Sequence, residues 1–218
     1  LTFNGRCYQV GGDIAVSLLE GINCMFYNKQ LAEDFSVPDL YELVRAGEWT
    51  HDQMLEVSRD IYLDVNSDGI KGTEDRFGFI SQGSYIRTYV VAYDTPTISD
   101  EGELIWNTEH TINVIEKLVD CFATPDVYET KDNAESEKLF SEGRALLMNC
   151  TLGTASKLRS MDDDFGIIPY PKFDENQENY MTTTSNDVSM ICVPVTAPDP
   201  EVSGLIIEAL CRESHDTV

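Results

Sequence analysis

Short apolar runs alternate with stretches of helical periodicity along the whole sequence, and no other feature restricts its possible folds so strongly. INCMFYN (22–28), FGFIS (77–81), ALLMN (145–149), FGIIPY (165–170) and VSMICVP (188–194) are too short for buried helices. They are rich in aromatic and branched residues, as buried strands are. GRCYQV (5–10) reads the same way. Between these runs the apolar spacing changes to that of a helix. Residues 38–46 place Leu40, Leu43 and Val44 on one face, with Gly47 after the end. Thr50 and Gln53 have capping-box spacing, and Met54, Val57 and Ile61 follow. The clearest helix is capped by Asn107 or Thr108 and carries one stripe of Ile112, Ile115, Leu118, Val119 and Phe122. A shorter amphipathic segment holds Leu139 and Phe140, and another short helix follows Thr151. Asp199-Pro200 opens a last helix predicted to turn Val202, Leu205, Ile206 and Leu210 inward. Strands and helices mixed in this order predict an α/β architecture, with no internal repeat.

Charge narrows the function classes. The chain has 39 acidic and 15 basic residues, a net charge of -24. That balance opposes nucleic acid, whose affinity comes largely from Lys and Arg on phosphates, and it opposes an anionic membrane surface. No apolar stretch approaches the ~20 residues that span a bilayer. Leu1 is not an initiator and no basic segment leads into an apolar one, so the chain is expected to start inside a longer gene product or after processing. Cys7, Cys24, Cys121, Cys150, Cys192 and Cys211 lack CxxC spacing, which argues against zinc. Most lie in apolar runs, where a free thiol behaves as a small hydrophobe. An even number would permit three disulfides, in a connectivity the sequence leaves open, but mostly free, buried thiols are the expectation.

The most specific motif is the acidic segment 64–75. Asp64, Asn66 and Asp68 stand at positions 1, 3 and 5, Gly69 at the sharp turn, the Ile70 carbonyl at 7, and Asp75 at 12. Alternate side chains there converge on one point, as a calcium loop requires. The apolar residue at 70 instead of 71, the short Asp75, and a strand where a second helix would follow are departures. An Asx-rich turn without metal is the alternative. Calcium here would be a structural staple.

No nucleophile elbow, HExxH, phosphate loop or GxGxxG occurs. His51, His110 and His215 are far apart, and the two at helix starts are expected on the surface. Carboxylates are too numerous to single out a glycosidase-like pair. An enzyme therefore has no positive support in the residues.

Several segments, in order, resemble the family 1 extracellular solute-binding proteins of ABC transporters, the group that includes maltose-binding protein. They are FNGRCYQV (3–10) with MFYNKQL (25–31), GEWTHDQMLEVSRDI (47–61) with the acidic loop and FGF strand after it, LFSEGRALLMNCT (139–151), FGIIPYPKF (165–173) and SNDVSMICVPVTAPDPEV (185–202). Each is weak alone; together they span nearly the whole chain.

The resemblance implies a periplasmic-binding-protein-like (type II) α/β fold of two lobes closing on a ligand. Residues 17–185 would form the second lobe, and 1–16 with 186–218 hinge strands and part of the first. By the same resemblance, the protein would capture a sugar or oligosaccharide for an ABC importer. It would work outside the cytoplasm, periplasmic or lipid-anchored, as a monomer beside the permease subunits. Tyr85 in SYIRTYVVAYD (84–94) occupies the place of a ligand-stacking tyrosine, with Arg87 near it as a donor. Tyr89 and Tyr93 are expected in the core, as are Trp49 and Trp106. Asn149 and Thr151 are candidate polar contacts, beside Leu152 where sugar binders often carry tryptophan. Asn186 and Asp187 lie near the return crossing. The competing readings are a carbohydrate-acting enzyme and a calcium-stapled interaction domain.

Overall fold

The computed structural model describes residues 2–3, 6–99 and 101–217. In chain order it has β1 (Thr2–Phe3), β2 (Arg6–Cys7), α1 (Val16–Glu20), β3 (Asn23–Asn28), α2 (Lys29–Asp34), α3 (Leu40–Ala46) and α4 (His51–Ser58). Then come β4 (Phe77–Gln82), α5 (Ile86–Ala92), α6 (Glu109–Ala123), β5 (Val127–Thr130), α7 (Asn133–Ser141), β6 (Ala145–Thr151), β7 (Phe165–Ile168) and α8 (Pro200–Thr217). The chain divides into two units, Asn23–Thr183 and Leu1–Ile22 with Thr184–Val218. Gly5, at the start of the first expected strand, lies outside the described residues, as does Asn4.

The larger unit is built on a five-stranded sheet in the order β5-β4-β6-β3-β7. β4 runs parallel to β5 and β6, and β3 runs antiparallel to β6 and β7. β3 is buried along its whole length, so its side chains serve two cores in alternation. Met25 and Tyr27 enter one cluster, Cys24 and Phe26 the other. That is the two-sided burial expected when helices cover both faces of a sheet. Just before β5 begins, the N–H groups of Gly78 and Phe79 both donate to Asp126 O, at 2.9 and 3.0 Å. Glycine is required there, since a Cβ on residue 78 would lie 2.1 Å from Ser58 O.

Local capping fixes the helices around the sheet. Asp39 accepts from Tyr41 N–H at 2.8 Å and Gly47 closes α3 in the left-handed region (φ 75°). Thr50 caps α4 through Gln53 N–H, Thr108 caps α6 through Thr111 N–H, and Asp132 caps α7 through Glu135 N–H. Trp49 is fully buried, with Nε1–H donating to Pro169 O at 3.0 Å, and Tyr89 and Tyr93 are core residues as expected.

The predicted face of α6 is rotated. The helix buries Thr111, Val114, Leu118 and Cys121, while Ile112, Ile115 and Val119 stay exposed. The two faces share Leu118, and the packing onto the rest of the unit selected the less apolar one. Ile115, Val119 and Phe122 instead line an open groove of about 460 Å³ with Ile86 of α5. Trp106, expected in the core, is 39% exposed. His51 departs in the other direction. It is 1% exposed, and its Nδ1 shares a 2.5 Å hydrogen bond with the Tyr93 hydroxyl. Burial first, then Lys117, hold its pKa down at about 4, against the opposing pull of Asp52.

The smaller unit holds the β1–β2 hairpin, α1 and α8. Residues 17–22 and 184–185 fall in it, because Ile22 bridges Thr184 and Ser185 N–H donates to Gly21 O at 2.7 Å. VSMICVP forms no strand; Val10 and Ile191 alone pair, through two reciprocal backbone bonds. No residue of α8 is buried, and Val202, Leu205, Ile206 and Leu210, predicted to face inward, are all exposed.

Candidate ligand-binding site

Three parallel strands of the larger unit end on the same edge of the sheet, β4 at Gln82, β5 at Thr130 and β6 at Thr151. Carboxyl ends of strands are where open α/β sheets present loops and helix starts to ligands. A recess of about 590 Å³ opens there, lined among others by Gln82, Ser84, Tyr128, Glu129, Lys131 and Glu135. Its chemistry is mixed: an amide, a hydroxyl, an ammonium and two carboxylates beside one aromatic ring. Tyr128 is held by stacking on Phe77, with ring centroids 4.7 Å apart and 13° between planes. Glu135, in the first turn of α7, accepts from Lys131 N–H at 2.8 Å and lies 3.6 Å from its Nζ. Ser84 Oγ donates to Gln82 Oε1. Burial, with Glu135 and Asp75 nearby, raises the pKa of Tyr128, so the ring keeps its hydroxyl proton.

Farther along the same edge, Asn23, Thr88 and Thr183 form a triangle of hydrogen bonds. Asn23 Nδ2 donates to Thr183 Oγ1 at 2.7 Å and to Thr88 Oγ1 at 3.1 Å, and the two hydroxyls are 3.1 Å apart. Thr88 and the recess residue Ser84 lie in the segment 84–94 that the resemblance marked, but none of these residues was singled out from the sequence. The one available signal was position, directly after strand-like runs, and the short β5 itself (VYET) carries too little pattern to read as a strand.

The residues singled out from the sequence scatter over different environments. Tyr85 is 7% exposed, in the core cluster with Met148 and Leu158, and its hydroxyl lies 3.5 Å from Cys150 Sγ. Stacking needs an open ring face, and this ring is packed into the core. Burial pushes its pKa far up. Asn149 is fully buried, donating to Ser81 Oγ at 3.0 Å while its Oδ1 has no partner. Thr151 is half-buried at the end of β6, opposite Asn23, and Leu152 begins the 3-10 turn after it. Arg87 is exposed, with Nε donating to Ser84 O at 3.4 Å. Asn186 and Asp187 are exposed and belong to the smaller unit; Asp187 N–H donates to Ser185 Oγ at 3.2 Å.

The acidic loop folds around its own backbone. Asp64 Oδ2 accepts from Gly69 N–H (2.9 Å), Asn66 Oδ1 from Asp68 N–H (3.1 Å) and Asp68 Oδ1 from Ile70 N–H (2.7 Å). Asp75, nearly fully buried, accepts from the N–H groups of Val65 and Gly72. Asp64 Oδ1 is buried without a donor, an acceptor a cation would satisfy. Against that, no cluster of three or more His, Cys, Asp or Glu positioned for a metal occurs among the described residues. The fit to calcium is therefore confined to the Asp64 end, and Asp75 is engaged by backbone.

No family model and no curated protein matches the sequence. Solved structures do. A maltose/maltodextrin-binding domain MalE from Bdellovibrio bacteriovorus, bound to maltotriose, superposes with a TM-score of 0.64 at 15% identity, over 96% of this chain and 50% of that one. A cyclo/maltodextrin-binding protein complexed with maltotetraose gives 0.67 at 13% identity, over 99% and 52%. The ABC substrate-binding protein Lmo0181 from Listeria monocytogenes, with cycloalternan, gives 0.56 at 12% identity, over 81% and 42%. The chain thus spans about half the length of these structures. These superpositions show that it has the mixed α/β fold of these structures, that of a type II periplasmic-binding-protein-like lobe.

Proposed function

We propose that this chain supplies much of an extracytoplasmic solute receptor of an ABC importer, and that its solute is a sugar or oligosaccharide. The observation that carries the reading is the fold shared with three carbohydrate-bound proteins, joined to a polar recess at the carboxyl edge of the sheet. A pyranose has apolar faces for an aromatic ring and hydroxyls for planar polar groups, and the recess offers both. In this reading Tyr128 meets a sugar face, Glu135 and Gln82 accept from or donate to hydroxyls, and Lys131 donates. Arg87, Thr151, Asn186 and Asp187 are second candidates on the exposed surface. The protein acts as a monomer and delivers its solute to permease subunits, and turnover plays no part.

Calorimetric titration with maltotriose, maltotetraose and cycloalternan tests this. Weak binding is expected, around 1 mM or some 4 kcal/mol, because only part of a two-sided site is at hand. Tyr128→Ala should weaken it about tenfold. Silence with every oligosaccharide retires the sugar, and full affinity in Tyr128→Ala moves the site away from the recess.

A second proposal concerns the acidic loop. Its motive is the donorless Asp64 Oδ1 within a ligand spacing suited to calcium. Asp64, Asn66, Asp68 and the Ile70 carbonyl would hold the ion, which would neutralise their charge and staple the loop to the start of β4. At calcium one hundred times its Kd, the protein should gain about 2.7 kcal/mol, a rise in Tm of roughly 5–10 °C. Superimposable melting curves in calcium and in excess chelator would discard the ion.

A further inference from the structure

Cys24 and Cys150 are cross-strand partners, directly opposed in the β3–β6 register. Opposed residues of an antiparallel pair project to the same face, and both cysteines enter the same core cluster. The kind of pair follows from the backbone. Asn23 N–H donates to Thr183 O, and Thr182 Oγ1 donates to Asn23 O, so the polar groups of Asn23 point away from β6. Alternation along β3 then turns those of Cys24 toward β6, making Cys24–Cys150 a hydrogen-bonded pair. Such pairs have Cα atoms about 5.5 Å apart, inside the roughly 4.4–6.8 Å that disulfides span. Their Cβ atoms, toward the wide end of about 4.5–5.5 Å, must draw together to the roughly 3.5–4.5 Å of a disulfide, so closure needs a small local shift of the two strands. None of the other described cysteines is set opposite a cysteine in a strand pair: Cys7 pairs with Thr2, Cys121 lies in the opposite cluster, and Cys192 and Cys211 lie, like Cys7, in the other unit.

We propose that Cys24 and Cys150 are a redox pair that closes to a disulfide between β3 and β6 when the chain folds in the presence of a disulfide oxidant. The step is two thiol–disulfide exchanges. One cysteine sulfur attacks the oxidant RS–SR, forming a mixed disulfide and releasing one RSH. The second cysteine sulfur attacks the mixed disulfide, forming the Cys24–Cys150 bond and releasing a second RSH. Two thiol protons pass to the two RSH, and the cysteines lose the two electrons that the oxidant gains. Timing follows from burial. Cys24 is 5% and Cys150 1% exposed, and burial, with Cys150 beside it, holds the Cys24 thiol up at about 12. Thiolate is the attacking species, so the exchange belongs to the stage before β3 and β6 are covered. Once closed, the bond is shielded from reductant until the sheet opens. It also takes Cys150 Sγ from the thiol contacts it makes with the Tyr85 hydroxyl and with Thr154 Oγ1, 2.9 Å away. The inference is independent of the proposed solute.

The test is to refold the protein from denaturant in buffered oxidised and reduced glutathione, then alkylate it in denaturant and map it without reduction by mass spectrometry. The expected product is a cross-linked peptide pair containing residues 24 and 150, lighter by two hydrogens, with both thiols closed to alkylation. Cys150→Ser should abolish the cross-link and leave Cys24 alkylated, while Cys121→Ser should leave it in place. The oxidised protein should melt several degrees above the reduced one, and native thiol reductant should not reopen it. Full alkylation of Cys24 and Cys150 in the oxidised wild type, or pairing of either with another cysteine, overturns the proposal. Because the wild type gives the decisive map, a variant that fails to fold does not blunt the test.

Discussion

The two units of this chain place similar sequence patterns in opposite physical situations. In Asn23–Thr183, the central strands β3, β4 and β6 are covered on both faces, and Trp49, Phe26, Phe79 and Phe140 are fully buried. In the smaller unit α8 has a comparable amphipathic pattern, yet Leu205 and Ile206 remain 65% and 55% exposed. A hydrophobic stripe says that a helix has a face to bury; it does not say what will bury it. α6 makes the same point within the larger unit. Its most apolar stripe faces outward, and the face through Val114 and Cys121 is the one the unit covers.

That contrast can be broken by measurement. The largest effect should come from Phe79→Ala, which opens a cavity in the larger core and should cost about 3–5 kcal/mol, read from the urea midpoint. A loss below 1 kcal/mol would mean the core is not packed as described. Acid should act next. His51 has a folded pKa of about 4 against about 6.5 for an unfolded histidine. The unfolded chain therefore takes up its proton first, and stability falls as pH drops from 6.5 to 4. The loss approaches 3 kcal/mol at the lower end. His51→Gln should flatten that part of a stability–pH curve, and an unchanged slope would place the titration elsewhere. Thr108→Ala removes the oxygen that accepts from Thr111 N–H and should cost about 1 kcal/mol, seen as a small drop in Tm. Leu205→Ala in α8 should be smallest, within about 0.5 kcal/mol. A multi-kilocalorie loss there would show that α8 is covered in solution.

Strand and helix positions were legible because they depend on local chemistry. INCMFYN, FGFIS, ALLMN and the first four residues of FGIIPY became β3, β4, β6 and β7 with boundaries shifted by two residues at most, and Asp39, Thr50 and Thr108 set the starts of their helices. The site was less legible. Tyr85 and Asn149 were chosen for their chemistry, and both are buried; Tyr128, Lys131 and Glu135 sit around a strand too short to announce itself. His51 looked like a surface residue at a helix start, and only packing beside Tyr93 made it a buried neutral base.

The amino-acid sequence by itself determined the α/β alternation, the helix starts and stops, the acidic turn and a surface with strong negative charge. Those follow from backbone preferences, capping groups and side-chain period, each of which acts over a few residues. Tertiary structure decided which face of α6 is covered, which tyrosines keep an open ring, and that Cys24 meets Cys150. Those outcomes depend on segments distant in sequence, as with Tyr85 and Cys150 or Cys24 and Cys150, and strand pairing and helix packing bring such segments together where no short-range preference can.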